Sequence, residues 1–447
     1  MLPALENIGA ILARGVSTAP AIVDGATTWT YGQLRADVAR QAAMLAGAGV
    51  RAGDRVMVVS ENCAAQVALL FAIASLEAWI VNVNARLSPG ELATIAAHSS
   101  ARLVIHLDGG AVRMGAVNLD CVPEADRAIA ALIYTTGTTG APKGVLLTHA
   151  NLLFVAQASS TLRAVVPTDR AYAVLPISHV YGLTSVLLGT LYAGACVVLE
   201  ARFTPAAMRA AIPGLTILQG VPAMYARLLD DGDAAPIASH LRFIYAGGSP
   251  LDPALKARVE RVFGLPLHNG YGLTETAPTI SQTRLDAPRS DTSVGYAIPG
   301  VDVKLVGEAL WVRGPNVMRG YYRGEAVAPG AWFDTGDMAR IAPDGAIFIT
   351  GRTKELIIRA GFNVYPLEVE TAINAHPDVA LSAVVGRPLA DGDEEVVAYV
   401  QPRAGAQAPD LGAWLRARLA PYKRPARIVF MAALPAAPNG KVLKHRL

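Results

Sequence analysis

The chain has little cysteine: its 447 residues include three, Cys63, Cys121 and Cys196. They lie far apart and lack metal-ligand spacing. That excludes a disulfide framework and a cysteine-based zinc site, and it points to a reducing, cytoplasmic setting. Charge is scarce as well: charged residues make up 17% of the chain, and the formal net charge is +3. No long Lys/Arg run or basic-aromatic alternation occurs, so nucleic acid is not an expected partner. With 52% hydrophobic residues the chain is also too apolar to be disordered. The opening stretch MLPALENIGAILARG lacks a basic leader and carries Glu6 inside its apolar part, so it does not read as a secretory signal.

Uninterrupted hydrophobic runs are also missing. Tyr181 to Leu199 is uncharged, but Gly182, Gly189 and Gly194 break it and it ends in Cys196-Val197-Val198-Leu199. It reads as a buried helix, a turn and a buried strand, and no transmembrane segment is expected.

What is present is an α/β rhythm long enough for several domains. Strands are expected at Arg55–Val59, Val104–Ile105, Ala171–Leu175, Thr216–Leu218 and Phe243–Tyr245, with a buried helix over Ala64–Ser75. Gly109 to Arg127 reads as a loop or short excursion. Between 290 and 350 short β-like runs such as Val301–Val306, rich in Gly and Pro nearby, suggest a small β-barrel. Beyond Lys354 the pattern becomes mixed α+β, with strands at Ala380–Gly386 and Val396–Gln401. The expected fold is therefore a large N-terminal domain, 1–353, of layered α/β sheets plus the small barrel, followed by a small α+β domain, 354–447.

The densest chemistry lies in Tyr134-Thr135-Thr136-Gly137-Thr138-Thr139-Gly140-Ala141-Pro142-Lys143-Gly144, behind the apolar lead Ala131-Leu132-Ile133. A glycine-rich loop after a strand turns backbone N–H groups toward phosphate oxygens, threonines add hydroxyl donors and a lysine adds charge. Lys143 stands between Pro142 and Gly144, which departs from the Gly-Lys-Ser/Thr ending of a Walker A loop and disfavours a P-loop NTPase.

This loop resembles the signature of the adenylate-forming superfamily, which includes acyl-CoA and aryl-CoA synthetases, firefly-type luciferases and peptide-synthetase adenylation domains. A common version has Ser where this chain has Thr136, which keeps the hydroxyl. Further motifs follow in the family's order along essentially the whole chain. The resemblance implies that Thr135, Thr136, Gly137, Thr138, Thr139, Gly140 and Lys143 hold the β- and γ-phosphates of ATP. It implies that Gly247, Gly248 and Ser249 pack against adenine, although alone these residues read better as an ordinary strand-to-helix turn. In Asn269-Gly270-Tyr271-Gly272-Leu273-Thr274-Glu275 it gives Tyr271 and Gly272 to adenine, Thr274 to phosphate and Glu275 to Mg2+. Asp337 would accept from the ribose hydroxyls and Arg352 would reach the nucleotide.

By the same resemblance Lys354 is a hinge, and Gly361 belongs to the loop that lines the thiol tunnel. Ala360 stands there in place of the first glycine of a pair. Lys441 would bridge the substrate carboxylate and the α-phosphate. His179, Val180, Tyr181, Val221, Tyr245, Ala246, Gly247, Ala277 and Pro278 would line the acid pocket, with His179 either shaping it or assisting catalysis. Those pocket segments contain no Lys or Arg, which favours an apolar monocarboxylic acid, fatty or aromatic.

The resulting expectation is an AMP-forming acid–CoA ligase using ATP, Mg2+ and CoA, with a mobile C-terminal domain. The alternatives are loading of a carrier-protein phosphopantetheine, or a catalytically silent nucleotide or acyl-CoA binder. A homodimer is the assembly allowed for. The 106–131 region looks shortened relative to the family.

Overall fold

The computed structural model describes residues 5–136, 142–230, 236–237, 239–359, 362–389, 393–403, 405–406, 408–436 and 442–447. Among these residues two large sheets dominate. One has seven strands in the order Gly320–Tyr321, Pro142–Thr148, Ile129–Thr136, Trp79–Asn84, Arg55–Ser60, Leu103–Asp108, Ala111–Met114. The other has nine: Tyr296–Ala297, Thr279–Gln282, Leu267–Gly272, Phe243–Ala246, Ile217–Gly220, Arg170–Ala173, Cys196–Leu199, Pro20–Asp24, Thr27–Thr30. The middle strands of both sheets run parallel. Parallel strands are covered on both faces and read as continuous apolar runs, as Arg55–Ser60 does with all six residues buried.

One hydrophobic core joins the sheets. It contains Val56, Val58 and Ile80 from the first, Tyr172, Leu218 and Ile244 from the second, and the helices between them. The helix Ala64–Ser75 is buried almost all round, as a central helix must be. The stretch from Tyr181 forms a buried π-helix, Tyr181–Leu188, a short helix Gly189–Tyr192 and the buried strand Cys196–Leu199. No described helix is long and apolar enough to cross a membrane.

Two buried amides tie the sheets together beside the helix Ala64–Ser75: Asn82 Nδ2 donates to the Ile177 carbonyl at 3.1 Å, and Asn62 makes the larger set of bonds. The Asn62 Nδ2 group donates to the carbonyls of Ala173, Leu175 and Glu200 at 3.0, 3.0 and 3.2 Å, and Asn62 Oδ1 accepts from the Ile177 N–H at 2.8 Å. This buried side chain bonds four backbone groups at the strand ends, where the ladder runs out of partners.

The small β unit is a four-stranded antiparallel sheet, Asp302–Val306, Ala309–Arg313, Phe333–Ile341, Ile347–Arg352. Among the described residues its two outer strands do not pair with each other. It therefore stays open where sequence pattern suggested a barrel. Its far edge is met instead by the backbone of Val294 and Gly295, each bonded to Ile347 at 2.8 Å. The expected loop after Gly109 contains one more strand, Ala111–Met114, hairpinned onto Leu103–Asp108.

From residue 357 onward a separate apolar cluster forms around Ile357, Val369, Val384, Val396, Ala398, Val400 and Leu415. It packs between the helix Pro366–Asn374 and the strands Val379–Pro388, Glu394–Pro402 and Arg427–Phe430. Alternate residues of Glu394–Pro402 supply Val396, Ala398 and Val400, the period expected of a strand with one face on a core.

Candidate active site

The glycine-rich segment leaves the first sheet between two antiparallel strands, with Thr135 opposite Lys143 and Thr136 opposite Pro142. Gly137, Thr138, Thr139 and Gly140 lie outside the described residues. Lys143 is exposed, and its Nζ stands 5.2 Å from the centre of the Tyr321 ring. The Tyr321 hydroxyl donates to Glu275 Oε1 at 2.8 Å. Tyr321 reaches this position because Gly320–Tyr321 pairs with the strand that carries Lys143. Glu275 is drawn in by its backbone, whose carbonyl accepts from the Met318 N–H at 2.8 Å. Burial, and then the Glu275 charge, push the Tyr321 phenol up and keep it a donor. A lysine at the base of the glycine-rich hairpin and a carboxylate are thus gathered on one aromatic side chain.

A second cluster forms around Asp337, which is buried. Asp337 pairs across the strands with Arg352, whose Nε lies 3.1 Å from Asp337 Oδ1. The Tyr271 hydroxyl donates to Asp337 Oδ2 at 2.6 Å. Burial, then the Asp337 charge, raise the Tyr271 phenol well above its ordinary value. This bond pins the hydroxyl end of the Tyr271 side chain against Asp337. Beyond Tyr271 the backbone turns sharply: a Cβ at Gly272 would stand 1.6 Å from the Pro278 carbonyl, so only glycine fits. Thr274–Thr276 is a single 3-10 turn, followed by Ala277 in the left-handed region and a cis bond to Pro278.

Of the predicted acid-pocket residues, Gly247, Val221 and His179 gather near Tyr181. A Cβ at Gly247 would meet the Tyr181 ring at 3.2 Å, and one at Gly248 would meet Val221 at 3.5 Å. The Tyr181 hydroxyl is buried without a hydrogen-bond partner among the described residues, and burial pushes the phenol up to about 12. The His179 Nδ1 accepts from the Tyr181 N–H at 3.2 Å. Tyr245 lies below, its hydroxyl donating to the Asn269 carbonyl at 2.9 Å.

Family models match most of this chain: AMP-binding enzyme over residues 12–128 and 115–322, and AMP-binding enzyme C-terminal domain over 368–441. The chain belongs to the AMP-binding enzyme family. A feruloyl-CoA synthase from Amycolatopsis is 36% identical to it, across 97% of this chain and 96% of that protein. The crystal structure of ATP-bound MatB from Rhodopseudomonas palustris superposes with a TM-score of 0.88 at 29% identity, covering 99% of this chain and 98% of that one. The o-succinylbenzoate CoA synthetase from Bacillus subtilis, in complex with ATP and magnesium ion, gives 0.86 at 28% identity, with 99% of both chains covered. This AMP-binding enzyme is an acid–thiol ligase of the AMP-forming kind, and its co-substrates are ATP with Mg2+ and CoA.

The donor set suits that metal. Among the described residues no group of three or more His, Cys, Asp or Glu converges. Mg2+ takes one or two carboxylates and completes its shell with phosphate oxygens and water, and Glu275 beside the phosphate loop offers such a carboxylate. Lys441 and Gly361 lie outside the described residues, and Lys354 is exposed at the 3-10 turn Thr353–Glu355. A cavity of about 550 Å³ shares Tyr321 with the site but contains none of the predicted site residues.

Two residues of this AMP-binding enzyme escaped sequence reasoning. Tyr321 was invisible because its role needs a strand pairing across the fold. Arg163 follows the helix His149–Leu162 and carries no motif. It is buried, its guanidinium lies 4.2 Å from the centre of the Tyr245 ring, and it donates to Gln282 and Gln219 at 3.2 and 2.5 Å.

Proposed function

We propose that this ligase activates an apolar monocarboxylic acid, fatty or aromatic, as its adenylate and then passes the acyl group to CoA. The observation that carries the reading is the convergence of Lys143 and Glu275 on Tyr321 at the base of the glycine-rich hairpin. Carboxylate and ATP are both anions, so the barrier to their reaction is one of charge and positioning. Lys143 and the threonine-rich loop would hold the β- and γ-phosphates, and Asp337 with Arg352 and Tyr271 would fix the nucleoside. Lys441 would bring its charge to the carboxylate and α-phosphate as the C–O–P bond forms and pyrophosphate leaves. Mg2+ on Glu275 supplies further neutralisation of the phosphate oxygens.

The thiol of CoA would then displace AMP from the acyl carbon. Lys441 has no part in that step, and the small domain, 354–447, would turn about Lys354 to admit the thiol. The buried, largely apolar wall around Tyr181, Val180 and Val221 supports an apolar acyl group. The free state of all three cysteines supports a reducing compartment, read as the cytoplasm. A homodimer stays an expectation of the resemblance.

The test is pyrophosphate release from ATP and Mg2+ across fatty, aromatic and dicarboxylic acids, each with and without CoA. Release with one monocarboxylic class, accelerated by CoA with thioester formed, is expected. Release confined to dicarboxylic acids would overturn the acid assignment, and release without thioester would redirect the acyl group to a carrier-bound thiol.

A further inference from the structure

Two arginines and a glutamate span the crevice between the two large sheets, just past the carboxyl ends of their parallel strands. Glu61 follows the strand Arg55–Ser60, Arg86 comes shortly after Trp79–Asn84, and Arg202 shortly after Cys196–Leu199. Arg86 Nε donates to Glu61 Oε1 at 2.7 Å, and Arg202 Nε donates to Glu61 Oε1 and Oε2 at 2.7 and 2.8 Å. The Arg86 guanidinium also donates to the Ala201 carbonyl at 3.1 Å, across the crevice. Two guanidiniums thus share one carboxylate. Arg202 holds Glu61 through Nε and its side chain is 68% exposed, which leaves its terminal amino groups open to an anion. A fixed guanidinium fork suits a phosphate, and α/β sheets bind ligands in the crevice outside the carboxyl ends of their strands.

Strand order in the nine-stranded sheet points to the phosphate concerned. Tyr271, proposed to lie by the nucleoside, is on Leu267–Gly272. The next three strands, Phe243–Ala246, Ile217–Gly220 and Arg170–Ala173, lead at their carboxyl ends to Gly247, Val221 and His179 of the predicted acid pocket. The strand after them, Cys196–Leu199, leads to Arg202. The acid pocket therefore lies between the nucleoside strand and the arginines. With strands about 4.8 Å apart, the Arg202 strand is roughly 19 Å from the Tyr271 strand and roughly 10 Å from the strand leading to Val221. We propose that Arg86 and Arg202 bind the phosphates at the nucleotide end of CoA, so that its thiol arm runs along the carboxyl-end face of the sheet to the acid. The inference rests on CoA as the acyl acceptor. A thiol arriving from this side reaches the acyl group from the end opposite the nucleoside of the departing AMP. Asn62 follows Glu61 directly and holds the Ile177 N–H, just before His179, so the phosphate anchor and the acid loop belong to one connection.

The experiment supplies wild type, Arg202→Gln, Arg202→Lys and Arg86→Gln with the synthetic adenylate of the acid that passes the pyrophosphate-release panel. It compares two thiols: CoA, and pantetheine, which has the thiol arm and no nucleotide. KM for CoA should rise about 10-fold in each glutamine variant, the loss of one charge-assisted hydrogen bond, and by less in Arg202→Lys, which keeps the charge. The rise should shrink as salt is added. KM for pantetheine, higher than that for CoA in wild type, should stay within about twofold in every variant. The glycine-rich hairpin rises from Ile129–Thr136, beside Trp79–Asn84, so the ATP phosphates are the competing anion, and KM for ATP in ATP–pyrophosphate exchange is measured alongside. An equal rise for both thiols, no rise for either, or equal KM values for CoA and pantetheine in wild type overturns the inference. A raised KM for ATP in place of CoA also overturns it and assigns the arginines to the ATP phosphates. Wild type that exchanges pyrophosphate yet forms no thioester with either thiol would remove the CoA reading, and the inference with it.

Discussion

Tyr321→Phe removes one hydroxyl and leaves the ring beneath Lys143 in place. The lost bond runs at 2.8 Å to a carboxylate oxygen of Glu275. A hydrogen bond to a charged acceptor is worth about 1.5–3 kcal/mol. Glu275 is only half-buried, so water replaces part of the bond and a net cost of about 1–2 kcal/mol is expected. At about 1.4 kcal/mol per factor of ten, that is a fall of about 5- to 30-fold in kcat/KM for adenylation. Because the bond orients the proposed Mg2+ carboxylate, the fall should shrink as Mg2+ is raised. The assay is pyrophosphate release under single-turnover conditions over a series of Mg2+ concentrations. A variant indistinguishable from wild type at low Mg2+ would refute the claim that Tyr321 orients Glu275.

Lys441→Ala should lower adenylation at least ~10²-fold while sparing thioester formation from acyl-adenylate, a difference read by assaying the two half-reactions separately. Lys354→Pro should do the opposite, leaving adenylation intact and blocking the thioester step; normal overall turnover would sink the hinge assignment. Gly272→Ala forces a methyl group against the Pro278 carbonyl and should cost about 1–3 kcal/mol or more, visible as a lowered Tm with weakened ATP binding. The His149 imidazole is pulled by burial from 6.5 to about 4. The unfolded chain then binds the extra proton first, so stability from this group is present above pH 6.5 and is lost as pH falls toward 4. His149→Gln should flatten that part of the stability–pH curve, measured by urea unfolding on the neutral and the mildly acidic side of that window.

The parts of the fold set by local pattern were readable in advance. The helix Ala64–Ser75 and the strand Arg55–Ser60 announce themselves as apolar runs of the right length. The glycine- and threonine-rich loop behind Ala131-Leu132-Ile133 was legible too, but its return as the antiparallel strand Pro142–Thr148 was not. What escaped depends on residues far apart in sequence. Gly320–Tyr321 is too short to show a strand period, and its partner strand, Pro142–Thr148, lies far earlier in the chain. Arg163 follows a helix end, where a basic residue reads as an exposed charge, and only the packed structure buries it against Tyr245. The open four-stranded sheet reads like a barrel because strand pattern fixes faces and not closure.

The Asn62 clamp has a consequence for how the two substrates meet. The glycine-rich hairpin grows from one sheet, while the strands that carry Tyr245 and Tyr271, proposed to lie by the acid and the nucleoside, belong to the other. Their separation is therefore a dimension of the whole domain, and Asn62 with Asn82 acts as its gauge block, the two amides holding Ile177 by its N–H and its carbonyl at a fixed height above the first sheet. A shorter or apolar side chain there would leave each half-site intact and let the distance between them drift, so that ATP and acid still bind but no longer arrive within bonding reach of each other.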